Sequence, residues 1–173
     1  ERGGGIRNIS LINMCDREPG YYQLLVETDT RDSMGANFIN SILECCAQAI
    51  PAWFEEHLPD DVPVPEVIMS ILSNYTPDCR VHAWVACPVT DLGDFEGGLG
   101  PEEFARRFYT AVRIAQIDPY RATTHNKGIF NGIDAVVLAT ANDFRAVEAC
   151  GHTWAARSGK YKGLSKCSVT DGI

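Results

Sequence analysis

The segment IRNISLINMCDREPGYYQLLVETDT, residues 6–30, decides the fold class of the first part of the chain. It holds two strand-like apolar runs, residues 6–15 and 21–30, and the pair Pro19-Gly20 lies between them. Two such runs joined through a turn-forming pair are typical of a β-hairpin. The sequence therefore predicts two antiparallel strands near the start of the chain.

A helix with one apolar face is predicted directly after this hairpin, over residues 32–50. Its apolar side chains recur at helical spacing, at positions 38, 39, 42, 43, 46, 49 and 50. Pro51 either kinks this helix or begins a further turn. A proline-rich loop follows, and then a short strand over residues 67–72. Strand, strand, helix and strand in this order predict a small α+β unit with a helix on one face of an antiparallel sheet.

The second part of the chain, beyond a boundary near residues 73–78, is predicted to be mainly helical. Pro101 and the two acidic residues after it are typical of the first turn of a helix. The predicted elements are a strand over 80–89, a flexible loop over 93–100, a helix over 100–117, a loop over 118–125, an apolar helix over 127–141 and a last helix over 144–159.

Composition excludes several classes of protein. The 173 residues suit one domain or two small ones, and a net charge of −8 argues against a nucleic-acid surface. The one basic cluster, residues 157–166, is interpreted as a solvated tail. The seven cysteines, at 15, 45, 46, 79, 87, 150 and 167, have no CxxC spacing. With no apolar run long enough to span a bilayer and no signal peptide, the sequence predicts a cytoplasmic protein without a membrane segment, zinc site or disulfide framework.

Polar residues on the apolar helix are the first candidates for chemistry. Lys127, Asn131 and Asp134 are spaced i, i+4 and i+7 and therefore share one edge of the helix. They form either a solvent-facing stripe on an otherwise buried helix or part of a site. Gly128 and Gly132 favour the second interpretation, because each glycine costs helix stability unless a ligand or another backbone must come close.

Three further candidates each allow two interpretations. Asp143 is either the N-cap of the last helix or a carboxylate held near Lys127. Arg121 is either a surface loop residue or a clamp for a carboxylate. The stretch DSMGAN, residues 32–37, is either a capped helix start or an anion site at a helix N-terminus. A Rossmann site is not supported, since the chain has no GxGxxG motif.

Three stretches taken together resemble hydroxymethylglutaryl-CoA reductase of the bacterial and archaeal class II form. They are TDTRDSMGANFINSILE (28–44), ILSN (71–74) and DPYRATTHNKGIFNGIDAVVLATANDFRAVEA (118–149). The resemblance implies an NAD(P)H-dependent, four-electron reduction of hydroxymethylglutaryl-CoA to mevalonate and free coenzyme A, or the reverse reaction. It also implies a homodimer or larger homo-oligomer with the active site between subunits.

The resemblance implies roles for individual residues in catalysis. Lys127 matches the catalytic lysine, whose ammonium stabilises oxyanion character on the reacting carbonyl. Asp143 matches the aspartate that is hydrogen-bonded to that lysine. Arg121 and Asn131 match residues that hold the carboxylate and hydroxyl end of the substrate, and Asn74 matches an active-site asparagine.

The resemblance also implies a fold and a coenzyme site. The fold is α+β, with a small antiparallel-sheet coenzyme domain that is ferredoxin-like and not a Rossmann fold, over 1–74, and the helical core of the large substrate domain over 75–173. The residues matched to the dinucleotide site are Asp32, Met34, Gly35 and Asn37. Asp16 falls where NAD-using members keep an acidic residue, and a carboxylate there accepts hydrogen bonds from ribose hydroxyls and repels a 2′-phosphate. NAD is therefore favoured over NADP.

Departures from the family pattern complete the expectation. The general-acid glutamate and the histidine that protonates the departing thiolate have no counterpart in the chain, so it is expected to be a central fragment that is inactive alone. Ser33 replaces the usual alanine, and Ala141 replaces the usual glycine of a GND motif; both are mild changes. The alternatives are a non-catalytic small-molecule binding α+β module that uses DSMGAN for an anion, and an interaction protein that has kept the fold and lost catalysis.

Overall fold

The computed structural model describes residues 3–33 and 35–170 and divides the chain into two compact units, Glu1–Ser73 and Asn74–Ile173. The first unit contains the hairpin and one long helix, and the second contains three helices. Across the described residues, every helix is too short or too polar to cross a membrane. The architecture is mixed, with helices and one antiparallel sheet, as predicted.

The predicted hairpin is confirmed. Strand β1, Gly5–Asn13, pairs antiparallel with strand β2, Tyr22–Asp29, and the register runs from Gly5 opposite Asp29 to Asn13 opposite Tyr22. In the connecting loop, the backbone N–H groups of Arg17 and Glu18 both donate to the carbonyl of Met14. This turn closes the hairpin and exposes the residues at its tip.

An ion cluster closes the other end of the hairpin. The carboxylate of Asp29 accepts a hydrogen bond from Arg7 and lies 3.5 Å from Nε of Arg31. The guanidinium of Arg31 also donates to the carbonyl of Gly3 across 2.8 Å. The hydrogen bond from Arg7, followed by that from the backbone N–H of Arg31, lowers the pKa of Asp29. These contacts fix the path of the chain into the following helix.

Helix α1, Ala36–His57, starts later than predicted, and its continuation beyond Pro51 agrees with the further turn that the sequence allowed. Its N-cap is Gly35, which has a φ of 78° and so belongs to the left-handed region that favours glycine. The helix continues through Pro51. The strand predicted over 67–72 is wrong: this segment has no regular secondary structure and pairs with no strand of the described chain. The N–H of Leu72 donates to Oδ1 of Asn40 in α1 over 3.1 Å.

The second unit consists of a short 3-10 helix, Val89–Leu92, and helices α2, Pro101–Ile117, α3, Pro119–Ala139, and α4, Phe144–Ala156. The strand predicted over 80–89 is wrong, because nothing in the described part of the chain pairs with this segment. Its large side chains are exposed instead, including Trp84 at 80%. The sheet of the described residues therefore has two strands only.

The loop predicted over 118–125 is also wrong, because α3 begins at Pro119. Asp118 ends α2 by donating its N–H to the carbonyl of Ile114 over 2.9 Å, and caps α3 by accepting from the N–H of Tyr120 over 2.9 Å. Proline is favoured at the first helical position because its missing N–H has no partner there. Lys127 consequently lies in the middle of a helix and not in its first turn.

The turn between α3 and α4 places Ala141 at a φ of 57°. This left-handed conformation costs a residue with a Cβ about 1–2 kcal/mol, and glycine avoids that cost. Alanine in place of the usual glycine therefore has a local cost in stability at this turn. The N–H of Asn142 still donates to the carbonyl of Val137 over 2.9 Å and closes the end of the helix.

We expect Ala141→Gly to raise the free energy of unfolding by about 1 kcal/mol, because glycine removes the strain of this conformation. Urea unfolding followed by circular dichroism measures the change. The matched control is Ala139→Gly at the last position of α3, which is expected to destabilise by about 1 kcal/mol because a helical glycine has more backbone entropy to lose. Changes of the same sign in the two variants would contradict the assignment.

The core of the second unit is small and centred on α3. Ala122, Asn126 and Phe130 recur every four residues along this helix and are buried. They face a few buried side chains of the other helices, namely Val112 and Ala115 of α2 and Ala155 of α4. Gly151 of α4 makes room for Phe130, since a Cβ there would lie 2.5 Å from Cζ of that ring.

The basic segment at 157–166 is not a solvated tail. After α4 the chain turns back and runs across the helices, and Lys162–Ser165 is here called the strap. The N–H of Gly163 donates to the carbonyl of Ala115 over 2.8 Å, and the N–H of Leu164 donates to Oδ1 of Asn126 over 2.8 Å. The prediction failed because these bonds use backbone groups, which leave no trace in the charge pattern.

Candidate functional site

The exposed face of α3 carries two cationic side chains and one amide side chain that the sequence analysis identified as candidates. Arg121, Lys127 and Asn131 are all exposed, whereas Asn126 on the same helix is completely buried. At about 100° per residue, Arg121 and Asn131 lie roughly 140° to either side of Asn126. Arg121 and Asn131 thus lie on the side of α3 that points away from the helical core, and Lys127 lies about 100° from Asn126.

The surroundings of Lys127 are open. The prediction that the large side chains of this helix are buried is wrong for most of them, and Val136 is 64% exposed. A Cβ added to Gly128 or Gly132 would meet no described atom within 4 Å. The two glycines therefore leave free space along the face that holds Lys127 and Asn131, and this space is available to a ligand.

Asp134 continues the same edge of α3 and has an unsatisfied group. Its Oδ1 is buried and accepts no hydrogen bond from any described residue. A buried carboxylate oxygen without a donor is costly, since nothing replaces the water that it loses. The edge of α3 that begins at Lys127 thus ends at Asp134, whose Oδ1 has no hydrogen-bond donor within the described chain.

Asp143 forms the N-cap of α4. Its Oδ1 accepts from the N–H of Arg145 over 3.0 Å and from the N–H of Ala146 over 3.3 Å, and Nε of Arg145 lies 3.6 Å from the same oxygen. In the part of the chain that the structure describes, no hydrogen bond or ion pair joins Asp143 to Lys127. The capping interpretation is confirmed, and a catalytic role for Asp143 stays a prediction.

In the first unit, the turn before α1 offers backbone N–H groups to an anion. The helix has no side-chain cap and no acidic residue in its first turn. Ser33 folds back instead, and its Oγ donates to the carbonyl of Thr30 over 2.9 Å. A Cβ on Gly35 would lie 2.5 Å from Cγ2 of Thr30, so the turn requires glycine. The other residues predicted for the coenzyme are exposed Asp16, Asp32 and Asn37 and Met34, which lies outside the described residues.

Asn74, the remaining substrate candidate, is exposed at the start of the second unit. Two shallow clefts lie elsewhere on that unit, along α2, with volumes of about 250 and 410 Å³. Tyr109 lines both of them, and none of the candidate site residues lines either. The α3 face is the better candidate site, because the polar groups suited to chemistry are on α3.

Sequence reasoning missed two residues directly before Lys127. Nε2 of His125 lies 2.5 Å from Oγ of Ser165, and the side chain of Asn126 bonds the strap. Burial lowers the pKa of His125, and the guanidinium of Arg121 lowers that pKa further. The available signal was spacing: Asn126 lies four residues from both Ala122 and Phe130, so a helical projection puts a polar residue in the middle of the apolar stripe.

Acidification is expected to destabilise the helical unit through His125. The unfolded pKa of histidine is about 6.5, and the folded pKa is lower. Below the unfolded pKa, the unfolded state therefore binds more protons than the folded state does. The free energy of unfolding consequently falls as the pH drops from 7.5 to 5. Urea midpoints at the two pH values measure this loss, and His125→Gln should reduce it. His82→Gln, at an exposed position, is the control; an equal loss in all three proteins would contradict the expectation.

A family model described as hydroxymethylglutaryl-coenzyme A reductase matches residues 1–172. The chain therefore belongs to this family, and the resemblance inferred from its motifs is confirmed. A probable 3-hydroxy-3-methylglutaryl-coenzyme A reductase of Borreliella burgdorferi is 37% identical over 171 residues, which are 99% of this chain and 37% of that protein. The reductase of Archaeoglobus fulgidus is 34% identical over 168 residues, 96% of this chain and 34% of that protein.

Solved structures of the same family resemble the fold described above. A 3-hydroxy-3-methylglutaryl-coenzyme A reductase of Streptococcus pneumoniae matches with a TM-score of 0.75 and 37% identity over 98% of this chain and 42% of its own. A class II reductase from the same organism, bound to NADPH in open conformations, matches with a TM-score of 0.72 and 36% identity over 97% and 42% of the two chains. The chain spans just over a third of the length of the two relatives named above.

Proposed function

We propose that the protein containing this chain reduces 3-hydroxy-3-methylglutaryl-CoA to mevalonate and free coenzyme A with a nicotinamide coenzyme, or runs the reverse reaction. Membership of the family supports the reaction. The observation that carries the proposal is the exposed face of α3, where Arg121, Lys127 and Asn131 stand beside free space at Gly128 and Gly132. Cations and amide donors of this kind suit a substrate with a carboxylate and a reacting carbonyl.

The chemistry requires stabilisation of negative charge on oxygen. In the reduction, hydride addition to the thioester carbonyl develops charge on its oxygen; the C–S bond then breaks, coenzyme A leaves and is protonated to the thiol, and a second hydride adds to the resulting aldehyde. A nicotinamide coenzyme would supply the hydride of each step. The ammonium of Lys127 stabilises that oxygen, first on the thioester and then on the aldehyde carbonyl. Arg121 binds the substrate carboxylate through its guanidinium, Asn131 bonds the hydroxyl end, and Asn74 contributes a further amide. Asp143 is proposed as the catalytic carboxylate that belongs with this lysine in the complete protein.

The coenzyme is assigned to the first unit. The uncapped start of α1, with Gly35 as its N-cap, has free N–H groups and no acidic residue in its first turn, which suits a phosphate. Asp32, Met34 and Asn37 are the other residues proposed for the coenzyme site. The coenzyme domain of the complete protein is proposed to be ferredoxin-like and not a Rossmann fold, over residues 1–74, with 75–173 belonging to the substrate domain.

NAD is the proposed coenzyme, with NADP the less favoured one. The carboxylate of Asp16 lies exposed in the loop between β1 and β2, where it can accept hydrogen bonds from ribose hydroxyls and repel a 2′-phosphate. The NADPH bound to the class II relative supports a nicotinamide coenzyme of either kind. A cytoplasmic homodimer or larger homo-oligomer is part of the same proposal.

The test is oxidation of NADH and of NADPH with 3-hydroxy-3-methylglutaryl-CoA by the longest natural polypeptide that contains these residues, with mevalonate measured as product. We expect turnover with both coenzymes and a higher kcat/KM with NADH. The 173-residue chain alone is the control and is expected to form no mevalonate. Absence of turnover by the long polypeptide with either coenzyme would reject the reductase and leave the anion-binding module as the better description.

A further inference from the structure

Asn126 is the one polar side chain that is fully buried among the described residues, at 0% exposure. Both ends of its amide are bonded to the strap. Nδ2 donates to the carbonyl of Lys162 over 3.0 Å, and Oδ1 accepts from the N–H of Leu164 over 2.8 Å. A buried amide with both ends bonded is stable in its place, whereas any rotation of it would leave two groups unsatisfied.

The strap itself is fixed to the neighbouring helices. The N–H of Lys162 donates to the carbonyl of Ala155 in α4 over 3.1 Å, and the N–H of Gly163 donates to the carbonyl of Ala115 in α2 over 2.8 Å. Both carbonyls belong to the last turn of their helix, where the helix provides no donor for them. Nε2 of Gln116 donates to the carbonyls of Gly163 and Ser165 over 2.9 and 2.7 Å. The strap is therefore held by α2 and α4 independently of α3.

Gly163 shows how closely the strap is fitted. A Cβ at this position would lie 2.8 Å from Nε2 of Gln116 and 3.3 Å from Cβ of Ala115. A side chain at this position would therefore have to displace the amide of Gln116, which itself bonds the strap. A second contact with α3, between Nε2 of His125 and Oγ of Ser165 at 2.5 Å, lies next to that of Asn126. Two successive residues of α3, His125 and Asn126, thus form hydrogen bonds with the strap.

The direction of these contacts bears on the site. Asn126 holds α3 from its buried side, and Arg121 and Asn131 lie five residues before and after it, roughly 140° away on either side. Lys127 follows Asn126 directly. With side chains reaching about 5–6 Å from a helix axis, a rotation of roughly 10° moves a side-chain end by about 1 Å. Fixing Asn126 therefore fixes the direction in which the site residues point.

We propose that the hydrogen bonds between Asn126 and the strap fix the rotation of α3 about its own axis and thereby direct the ammonium of Lys127 toward the reacting carbonyl. This inference rests on the proposed reductase function. Asn126 touches neither substrate nor coenzyme in this scheme and acts through Lys127. A displacement of about 1 Å at a catalytic group can cost about 100-fold in rate. Loss of these hydrogen bonds should therefore lower kcat and leave coenzyme binding unchanged.

A double-mutant cycle in the long natural polypeptide tests the inference, with kcat and KM measured for the parent, Asn126→Ala, Lys127→Ala and the double variant. Asn126→Ala is expected to lower kcat about 10- to 100-fold while the KM for coenzyme changes less than about 3-fold. In the Lys127→Ala background the same change should cost less than about 3-fold, because the group that it positions is already gone.

The outcomes separate the two proposals. An equal loss from Asn126→Ala in both backgrounds would mean a general structural effect and would overturn the positioning role, as would no loss in the parent background. Failure of the parent itself to turn over rejects the proposed function and this inference with it. Turnover by the parent with an additive cycle rejects the inference alone.

Two further variants guard against misfolding of Asn126→Ala. Ser165→Ala removes the bond to His125 and keeps the buried amide, and it is expected to lower kcat about 3- to 10-fold with the same dependence on Lys127. Asn40→Ala is the matched control, because it also removes an amide oxygen that accepts a backbone N–H, that of Leu72 in the first unit. We expect its kcat to stay within about 2-fold of the parent, and a loss like that of Ser165→Ala would overturn the inference.

Discussion

Lys127→Ala is expected to lower the turnover of 3-hydroxy-3-methylglutaryl-CoA about 1,000-fold. Removing one preorganised group that stabilises a developing oxyanion costs about 100- to 1,000-fold in kcat, and an ammonium is at the upper end because it carries a full charge. The substitution is compatible with the fold, since Lys127 is exposed on α3 and makes no hydrogen bond or ion pair within the described chain. The affinity for coenzyme, assigned to the first unit, should change little.

Steady-state NADH oxidation by the long natural polypeptide measures this effect, with binding of NADH followed separately by fluorescence. Lys160→Ala is the matched control: it removes an exposed lysine from the segment between α4 and the strap, and its turnover should equal that of the parent. Unchanged turnover in Lys127→Ala would exclude this lysine from the reaction. A large loss of NADH affinity would instead place it at the coenzyme.

The largest expected effect on stability comes from Phe130→Ala. Phe130 is 3% exposed and is the one aromatic side chain among the buried residues of the described chain. Its ring lies against Gly151 and 4.9 Å from the ring of His152, measured between centroids. Truncating a buried phenylalanine loses its transfer free energy and leaves a cavity, so we expect the free energy of unfolding to fall by about 3–5 kcal/mol.

Urea unfolding at neutral pH measures this loss. Phe108→Ala on α2 is the control, because Phe108 is 52% exposed, and it should cost about 1 kcal/mol or less. The same contact can be tested from α4: Gly151→Ala forces a Cβ against Phe130 and should cost about 1–3 kcal/mol. Gly128→Ala meets open space and should stabilise by about 1 kcal/mol. A common sign for the two glycine variants would contradict the packing described here.

Local sequence patterns correctly predicted the elements whose formation depends on residues close together in the sequence. The hairpin followed from two apolar runs around Pro19-Gly20, and α2 followed from Pro101 with two acids in its first turn. Even the error at 118–125 was local in origin, because an Asp-Pro pair marks a loop and the first turn of a helix equally well. The structure resolves this ambiguity through the hydrogen bond from the N–H of Tyr120 to Asp118.

The predictions that failed depend on partners distant in sequence. The runs at 67–72 and 80–89 have the composition of strands, but a strand also needs an edge to pair with, and Val81 is 98% exposed without one in the described chain. The strap is the opposite case, since its ordinary sequence gives no periodic signal and its bonds to α3 reach a residue 36 and 38 positions away. For the candidate site, residue spacing alone predicted that polar residues share one edge of α3. The roles of Lys127 and Arg121 were predicted from the family resemblance.

The sequence separation between Asn126 and the strap also sets an order of events during synthesis. The partners of Asn126, residues 162 and 164, are 36 and 38 positions further along the chain. At about 5–20 residues per second, the ribosome adds them roughly 2–8 s after Asn126. Helices α2, α3 and α4 are synthesised by then, but the strap contacts of Asn126 and His125 are still absent. In the proposed scheme, the direction of Lys127 is therefore fixed only after residues 162–165 have been added, and a nascent chain arrested before Lys162 would carry every helix of this unit without the hydrogen bonds between Asn126 and the strap.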